Sequence, residues 1–124
     1  MCYVVIPTPR FESDVDFYER KRKYRNITED IKSIVEDLEK GNLIGNPIPE
    51  LTIEDDNHTY KVRVANSDAN QGKSNGYRLI YYAVKDDREI FLLTIYSKKD
   101  DNRIPSNEEI AEIVKEYCTE APEK

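Results

Sequence analysis

The 124-residue sequence has little of the material from which many catalytic and metal sites are built, with one histidine and two cysteines. A histidine-based triad or a histidine zinc site is a poor candidate, because His58 stands alone just before a predicted strand. Cys2 and Cys118 lie near opposite ends of the chain. We expect free thiols, with a disulfide between the termini as the less favoured alternative.

The sequence also lacks long hydrophobic segments. No apolar run reaches the roughly 18 residues of a transmembrane helix. The first ten residues are interrupted by prolines and do not resemble a signal peptide. We therefore expect a cytoplasmic protein with no membrane segment.

Acidic residues outnumber basic ones, 25 to 19, but positive charge is concentrated in one part of the chain. The formal net charge is −6. Residues 59–103 carry nine Lys or Arg and six Asp or Glu, a local charge of +3, whereas the remainder carries −9. Because the local field decides what a surface attracts, residues 59–103 remain a candidate for binding an anion such as a nucleic acid.

The hydrophobic pattern predicts a single α+β domain over residues 1–124, with a disordered tail at 119–124 and element order β-α-α-β-β-β-α. A helical hairpin should pack on one face of an antiparallel sheet. We expect capping residues at Ser13, Asn26 and Ser106, the last two with Glu29 and Glu109 as capping boxes. The predicted segments are a strand at 3–6, helices after Ser13, Asn26 and Ser106, an irregular connection at 42–58, and strands at Tyr60–Ala65, Tyr77–Val84 and Glu89–Lys98.

Alternation along the last three strands predicts two different sheet faces. In the last strand, Phe91, Leu93 and Ile95 should point into the core. The opposite face should bring together basic side chains and one aromatic: Lys61, Arg63, Arg78, Tyr96 and Lys98. Cross-strand neighbours lie about 5 Å apart, so these cations can contact one phosphodiester. A plain solvated face is the alternative, but the acidic pairs Asp55-Asp56, Asp86-Asp87 and Asp100-Asp101 fall in predicted turns.

One apparent nucleotide motif fails. Gly72-Lys73-Ser74 resembles the end of a P-loop, but Ser67 stands where the pattern needs glycine, and the segment joins two strands. We therefore expect Lys73 to be a loop cation that binds backbone phosphate and has no nucleotide-binding role.

The segment YKVRVANSD…GKSNGYRLIYYAVKDDREIFLLTIYSKKD resembles the RelE/ParE superfamily of bacterial type II toxins, particularly RelE and HigB-like members. The similarity extends from about Phe11 to Tyr117 and is most specific between Tyr60 and Lys98. It implies the RelE-like fold and a ribosome-dependent mRNA endonuclease without cofactor or metal. Such an enzyme cleaves by attack of the ribose 2′-OH on the adjacent phosphate and is neutralised by a cognate antitoxin.

The resemblance also implies roles for individual residues. Lys61 and Arg63 match the paired basic positions of the first meander strand, and Arg78 matches the arginine of the central strand. The basic position after the last strand falls on Lys98 or Lys99, and Tyr96 matches an aromatic position of HigB-like members that could stack a base. Two alternatives stay open, a ParE-like inhibitor of DNA gyrase and a non-catalytic member that only binds an antitoxin.

Overall fold

The structure is a computed structural model that describes residues 2–51 and 58–117, apart from the side chain of Glu50. The predicted acidic turn at Asp55-Asp56, the thiol of Cys118 and the C-terminal tail lie outside the described residues. The elements are β1 (Val4–Pro7), α1 (Pro9–Arg20), α2 (Ile27–Glu39), β2 (Asn46–Pro47), β3 (His58–Val64), β4 (Tyr77–Val84), β5 (Glu89–Ser97) and α3 (Asn107–Tyr117). In the described ranges, no helix is long and apolar enough to cross a membrane.

The strands form one five-stranded sheet in the order β1-β5-β4-β3-β2. β3, β4 and β5 are an antiparallel meander, as short connections require, and β1 pairs with β5 in parallel. β4 lies at the centre and is buried on both faces along most of its length. The predicted order of elements is confirmed, with the two-residue β2 as an addition.

Helices cover both faces of the sheet. α1 and α2 pack on one face, where their apolar stripes meet alternate residues of β3, β4 and β5. This confirms the predicted helical hairpin. α3 packs on the opposite face, where Ile110, Ile113 and Val114 contact Ile80, Tyr82, Leu93 and Tyr96. The sheet is therefore the middle layer of three, and only part of its second face remains open.

A β-bulge in β5 changes which residues face which helices. Ile80 pairs with Thr94 and Tyr81 with Leu92, so Leu93 is an extra residue on β5. An extra residue shifts the alternation of side chains beyond it. The expectation that Phe91, Leu93 and Ile95 share one face is therefore wrong. Leu92 and Ile95 face α1 and α2, whereas Phe91, Leu93 and Tyr96 face α3.

Helix starts follow the predicted chemistry in one of three cases. At α3, the Ser106 N–H donates to Glu109 and the Glu109 N–H donates to the Ser106 hydroxyl, which confirms the capping box. α1 begins earlier than predicted, because Thr8 is its cap and Pro9 occupies its first turn. The Asn26 side chain makes no capping bond at α2.

Candidate nucleic-acid interface

Two arginines and a tyrosine form a row across three strands. Arg63 on β3 lies opposite Arg78 on β4, and Arg78 lies opposite Tyr96 on β5. Directly opposed residues of an antiparallel pair have Cβ atoms about 5 Å apart. The extra residue of the β5 bulge lies between this row and the β4–β5 turn, so it places Tyr96 rather than Ile95 opposite Arg78. The structure thus brings together three residues that the sequence pattern predicted to share a face.

Lys61 extends this row along β3. It lies two residues before Arg63 and is opposite Ile80, which is 1% exposed and packs with α3. Because residues two apart on a strand point to the same face, Lys61 and Arg63 stand side by side at the margin of the part that α3 covers. We call Lys61, Arg63 and Arg78 the cationic row.

Backbone carbonyl groups hold the Arg78 guanidinium. Its Nη1 donates to the carbonyl oxygens of Lys73 and Tyr77, both at 3.2 Å, and its Nη2 donates to that of Ser74 at 3.0 Å. Lys73 and Ser74 belong to the short 3-10 helix Lys73–Asn75. Carbonyl acceptors orient a guanidinium without neutralising it, so Arg78 keeps its full charge in a fixed position.

Gly76 brings that 3-10 helix against the sheet. A Cβ atom at residue 76 would lie 2.2 Å from the carbonyl oxygen of Val64. Only glycine permits so close an approach between the start of β4 and the end of β3. This explains why a glycine stands two residues before Arg78. Gly76 lets the turn approach β3, and carbonyl groups of that turn then bind the Arg78 guanidinium.

The cationic row is electrostatically uncompensated. Burial and the neighbouring Arg63 charge lower the pKa of Arg78 below its usual value. Burial raises the pKa of Tyr96, and the Arg78 charge partly offsets that rise. Four other arginines in the described ranges form ion pairs, whereas no carboxylate pairs with any member of the row there. A surface of this kind attracts anions.

The three other predicted cations, Lys73, Lys98 and Lys99, lie outside the cationic row. Lys73 is exposed and lines a groove together with Lys61 and Arg63. Lys98 is also exposed, and its N–H donates to the Gly76 carbonyl at 2.9 Å, next to the turn that holds Arg78. Lys99 lines a separate cleft with Asp100 and Asp101. Lys98 is therefore the better match for the basic position after the last strand.

Tyr96 does not offer the surface expected for base stacking. It is 4% exposed, and its ring packs with the residues beneath α3. A base needs an open ring face, so the predicted stacking role is not supported by this conformation. Tyr96 instead lies at the β5 end of the row, opposite Arg78.

Sequence reasoning missed the carbonyl acceptors of Arg78 and the groove beside β3. The Gly-rich composition of residues 72–76 was a usable signal for the first, because a glycine before a strand often marks close backbone approach. No local signal marks the groove, since it depends on how few residues β2 contributes to the sheet.

With this geometry established, comparisons with known proteins are informative about the fold. No family model matches the sequence, and no curated protein sequence matches it either. Among solved structures, an arginine double mutant of the E. coli toxin RelE in the free state superimposes with a TM-score of 0.54. The alignment covers 94% of this chain and 99% of that chain at 18% sequence identity.

The chain has a RelE-like fold. The α+β architecture expected from the sequence is thereby confirmed, including the helical hairpin and the antiparallel meander. At this level of identity the similarity concerns the fold and not the activity.

Proposed function

We propose that this protein is the toxin of a type II toxin–antitoxin system and acts in the cytoplasm as a ribosome-dependent mRNA endonuclease. The observation that carries the proposal is the cationic row, in which Arg63 and Arg78 face each other across two strands without a carboxylate partner in the described residues. The RelE-like fold supports the same class of protein. Its partners would be mRNA on the ribosome and a cognate antitoxin.

The proposed reaction needs only groups that the chain supplies. The ribose 2′-OH attacks the adjacent phosphorus, the bond to the 5′-oxygen breaks, and the products are a 2′,3′-cyclic phosphate and a 5′-hydroxyl end. Arg78 and Arg63 would bind the phosphate oxygens and stabilise the negative charge that develops on them. Lys61 or Lys98 would transfer the proton between the 2′-OH and the leaving oxygen.

Two further cations would bind RNA outside the reacting phosphate. Lys73 lies on the turn that holds Arg78, so its ammonium group can contact a neighbouring phosphate of the same strand. Lys99, beside two aspartates, would contribute less. This division predicts a larger loss of RNA affinity from a change at Lys73 than from the same change at Lys99.

Substitution of Arg78 tests the proposal directly. Arg78→Ala should lower ribosome-dependent mRNA cleavage by about 100-fold or more, because loss of one donor to a developing oxyanion typically costs that much. The measurement is 5′-end mapping of mRNA in a reconstituted translation reaction. Lys32→Ala is the matched control, since Lys32 is an exposed cation on α2, and should leave cleavage unchanged.

The opposite outcomes are equally clear. Growth arrest that survives alanine substitution at Arg63, Arg78 and Lys98 would show that the site assignment is wrong. Inhibition of DNA supercoiling by the wild-type protein without mRNA cleavage would favour the gyrase-inhibitor alternative. Tight antitoxin binding without any growth arrest would indicate a non-catalytic member.

A further inference from the structure

The turn that holds Arg78 contains the one Asn-Gly pair of the sequence, Asn75-Gly76. Asn75 is the last residue of the 3-10 helix Lys73–Asn75 and is exposed to solvent. Every other asparagine is followed by a residue with a side chain, which obstructs the backbone nitrogen beyond it. Because glycine has no Cβ, the nitrogen after Asn75 is the least obstructed one that follows any asparagine of this chain.

The backbone nitrogen of Gly76 is also free of a hydrogen bond to the main chain. In the ranges 2–51 and 58–117, the Gly76 N–H donates to no backbone carbonyl, although the Gly76 carbonyl accepts from the Lys98 N–H at 2.9 Å. The turn itself is held by a bond of 3.2 Å from the Asn75 N–H to the Gly72 carbonyl. Short exposed turns of this type open locally at little cost. The Asn75 side chain can then approach the Gly76 nitrogen.

The Arg78 guanidinium spans this peptide link. It binds the carbonyl oxygens of Lys73 and Ser74, which precede the link, and that of Tyr77, which follows it. The side chain of Arg78 therefore closes a ring around the bond between Asn75 and Gly76. A change in the length of the main chain inside this ring would separate the carbonyl groups that hold the arginine.

We propose that Asn75 is a site of spontaneous deamidation that releases Arg78 and so inactivates the cationic row as the protein ages. The Gly76 nitrogen attacks the side-chain carbonyl carbon of Asn75, the bond from that carbon to the amide nitrogen breaks, and ammonia leaves with the proton of the Gly76 N–H. The product is a succinimide ring. Water then opens the ring at one carbonyl to give aspartate, or at the other to give isoaspartate, whose main chain contains an extra carbon atom.

Both products oppose anion binding at Arg78. Each adds a carboxylate to the turn that holds the guanidinium, which lowers the positive potential of the row. Isoaspartate also lengthens the turn, and Gly76 cannot absorb the added length by moving toward β3, because the position of its missing Cβ is already 2.2 Å from the Val64 carbonyl oxygen. The turn must therefore move away from Arg78. The effect on mRNA cleavage rests on the proposed function, whereas deamidation and the release of Arg78 do not.

Mass spectrometry of peptides from aged protein tests the first step. The full-length protein is incubated in mildly alkaline buffer, and the exchange of an amide for a carboxylic acid is followed at each asparagine. Asn75 should be modified first and should yield isoaspartate. Asn70 is the matched internal control, since it is exposed in the same loop but is followed by Gln71. If Asn75 reacts no faster than Asn70, the proposal is wrong.

Substitution of Arg78 tests whether its hydrogen bonds restrain the turn. Arg78→Ala should speed deamidation of Asn75 at least about fivefold, because the turn then opens without breaking the bonds to three carbonyl groups. Arg25→Ala removes an exposed arginine elsewhere and should leave the rate unchanged. Equal rates in the wild type and in Arg78→Ala would contradict the restraint.

Nuclear magnetic resonance of the arginine side chains tests the consequence. The guanidinium signals of Arg78 should shift in the separated deamidated protein, whereas Asn75→Gln, whose longer side chain closes the ring poorly, should keep its original signals after the same incubation. Identical Arg78 signals before and after deamidation would overturn the proposal. If fresh protein fails to cleave mRNA on ribosomes but its Arg78 signals still change with deamidation, the proposed function fails and this inference stands.

Discussion

Two regions of the same sheet differ in whether their charged side chains have partners of opposite charge. Near the contact between α1 and β5, Asp14 is 2% exposed and accepts hydrogen bonds from Arg103 at 2.9 Å, from Arg10 at 3.3 Å and from the Thr94 hydroxyl. The Ile95 N–H also donates to it, at 3.2 Å. In the cationic row, by contrast, Arg63 and Arg78 face each other with no carboxylate bound to them in the described residues.

The contrast distinguishes charged groups that stabilise the fold from charged groups that are available to bind a ligand. A buried carboxylate with four donors is satisfied internally, and it joins α1 to β5 across the core. Like charges on neighbouring strands oppose folding instead. Their presence is explained if an anion binds them, which is the physical basis of the proposed RNA site.

The largest expected effect comes from removing the buried carboxylate. Asp14→Ala should lower the free energy of unfolding by about 3 kcal/mol or more, because two arginines and the Thr94 hydroxyl lose their common acceptor. Urea unfolding followed by circular dichroism measures the change. Asp16→Ala is the matched control on the same helix, since its ion pair with Arg20 is exposed and should contribute less than about 1 kcal/mol.

Equal effects of the two aspartate substitutions would contradict the comparison. They would mean that the buried carboxylate contributes no more to stability than an exposed ion pair. Activity adds a second criterion. At a temperature where both variants remain folded, mRNA cleavage should be unaffected by either change, because neither aspartate borders the cationic row.

Two buried tyrosines give a smaller and more direct comparison of paired and unpaired polar groups. The Tyr18 hydroxyl donates to Asp100 at 2.9 Å and accepts from the Ser97 N–H at 2.7 Å. The Tyr77 hydroxyl has no hydrogen-bond partner in the described structure. Tyr18→Phe should therefore destabilise the fold by about 1–3 kcal/mol, whereas Tyr77→Phe should be neutral or slightly stabilising.

The pH dependence of stability checks the same pair. Burial raises the pKa of both Tyr18 and Tyr77 above the ordinary tyrosine value. The folded state then keeps these protons while the unfolded chain loses them, so stability is complete below about pH 10 and falls as pH rises further. Tyr77→Phe should make this alkaline decline less steep. An unchanged slope would show that Tyr77 does not contribute to it.

Much of the sheet could be predicted because its signals are local. The alternation of Lys61 and Arg63 with Val62 and Val64 fixes which face is cationic, and a four-residue turn fixes how β4 meets β5. The direct opposition of Arg63 and Arg78 depends in addition on the register between β3 and β4, which the long connection between these strands does not reveal. The capping box of Ser106 is equally local, and it is confirmed by two hydrogen bonds.

What could not be predicted depends on contacts distant in sequence. The bulge at Leu93 reverses the faces along β5, and alternating residues on one strand do not reveal it. The burial of Tyr96 depends on where α3 packs, and the position of Arg78 depends on carbonyl groups that a turn presents. Sequence therefore indicated which residues form the cationic face but not how each is held.

The smallest effect belongs to the cationic row itself. If Arg63 and Arg78 repel each other in the free protein, Arg63→Gln should raise the free energy of unfolding by about 0.3 kcal/mol at low salt, because like charges directly opposed on two strands destabilise them. The Debye length is about 3 Å in 1 M salt, so the gain should vanish there.

Urea unfolding is the suitable measurement, since urea carries no charge. Arg20→Gln is the control, and it should show no gain because it breaks an attractive pair. A stabilising change that at the same time lowers mRNA cleavage would show that the row exists for its ligand at the expense of the fold, whereas loss of stability at Arg63→Gln would assign the arginine a structural role.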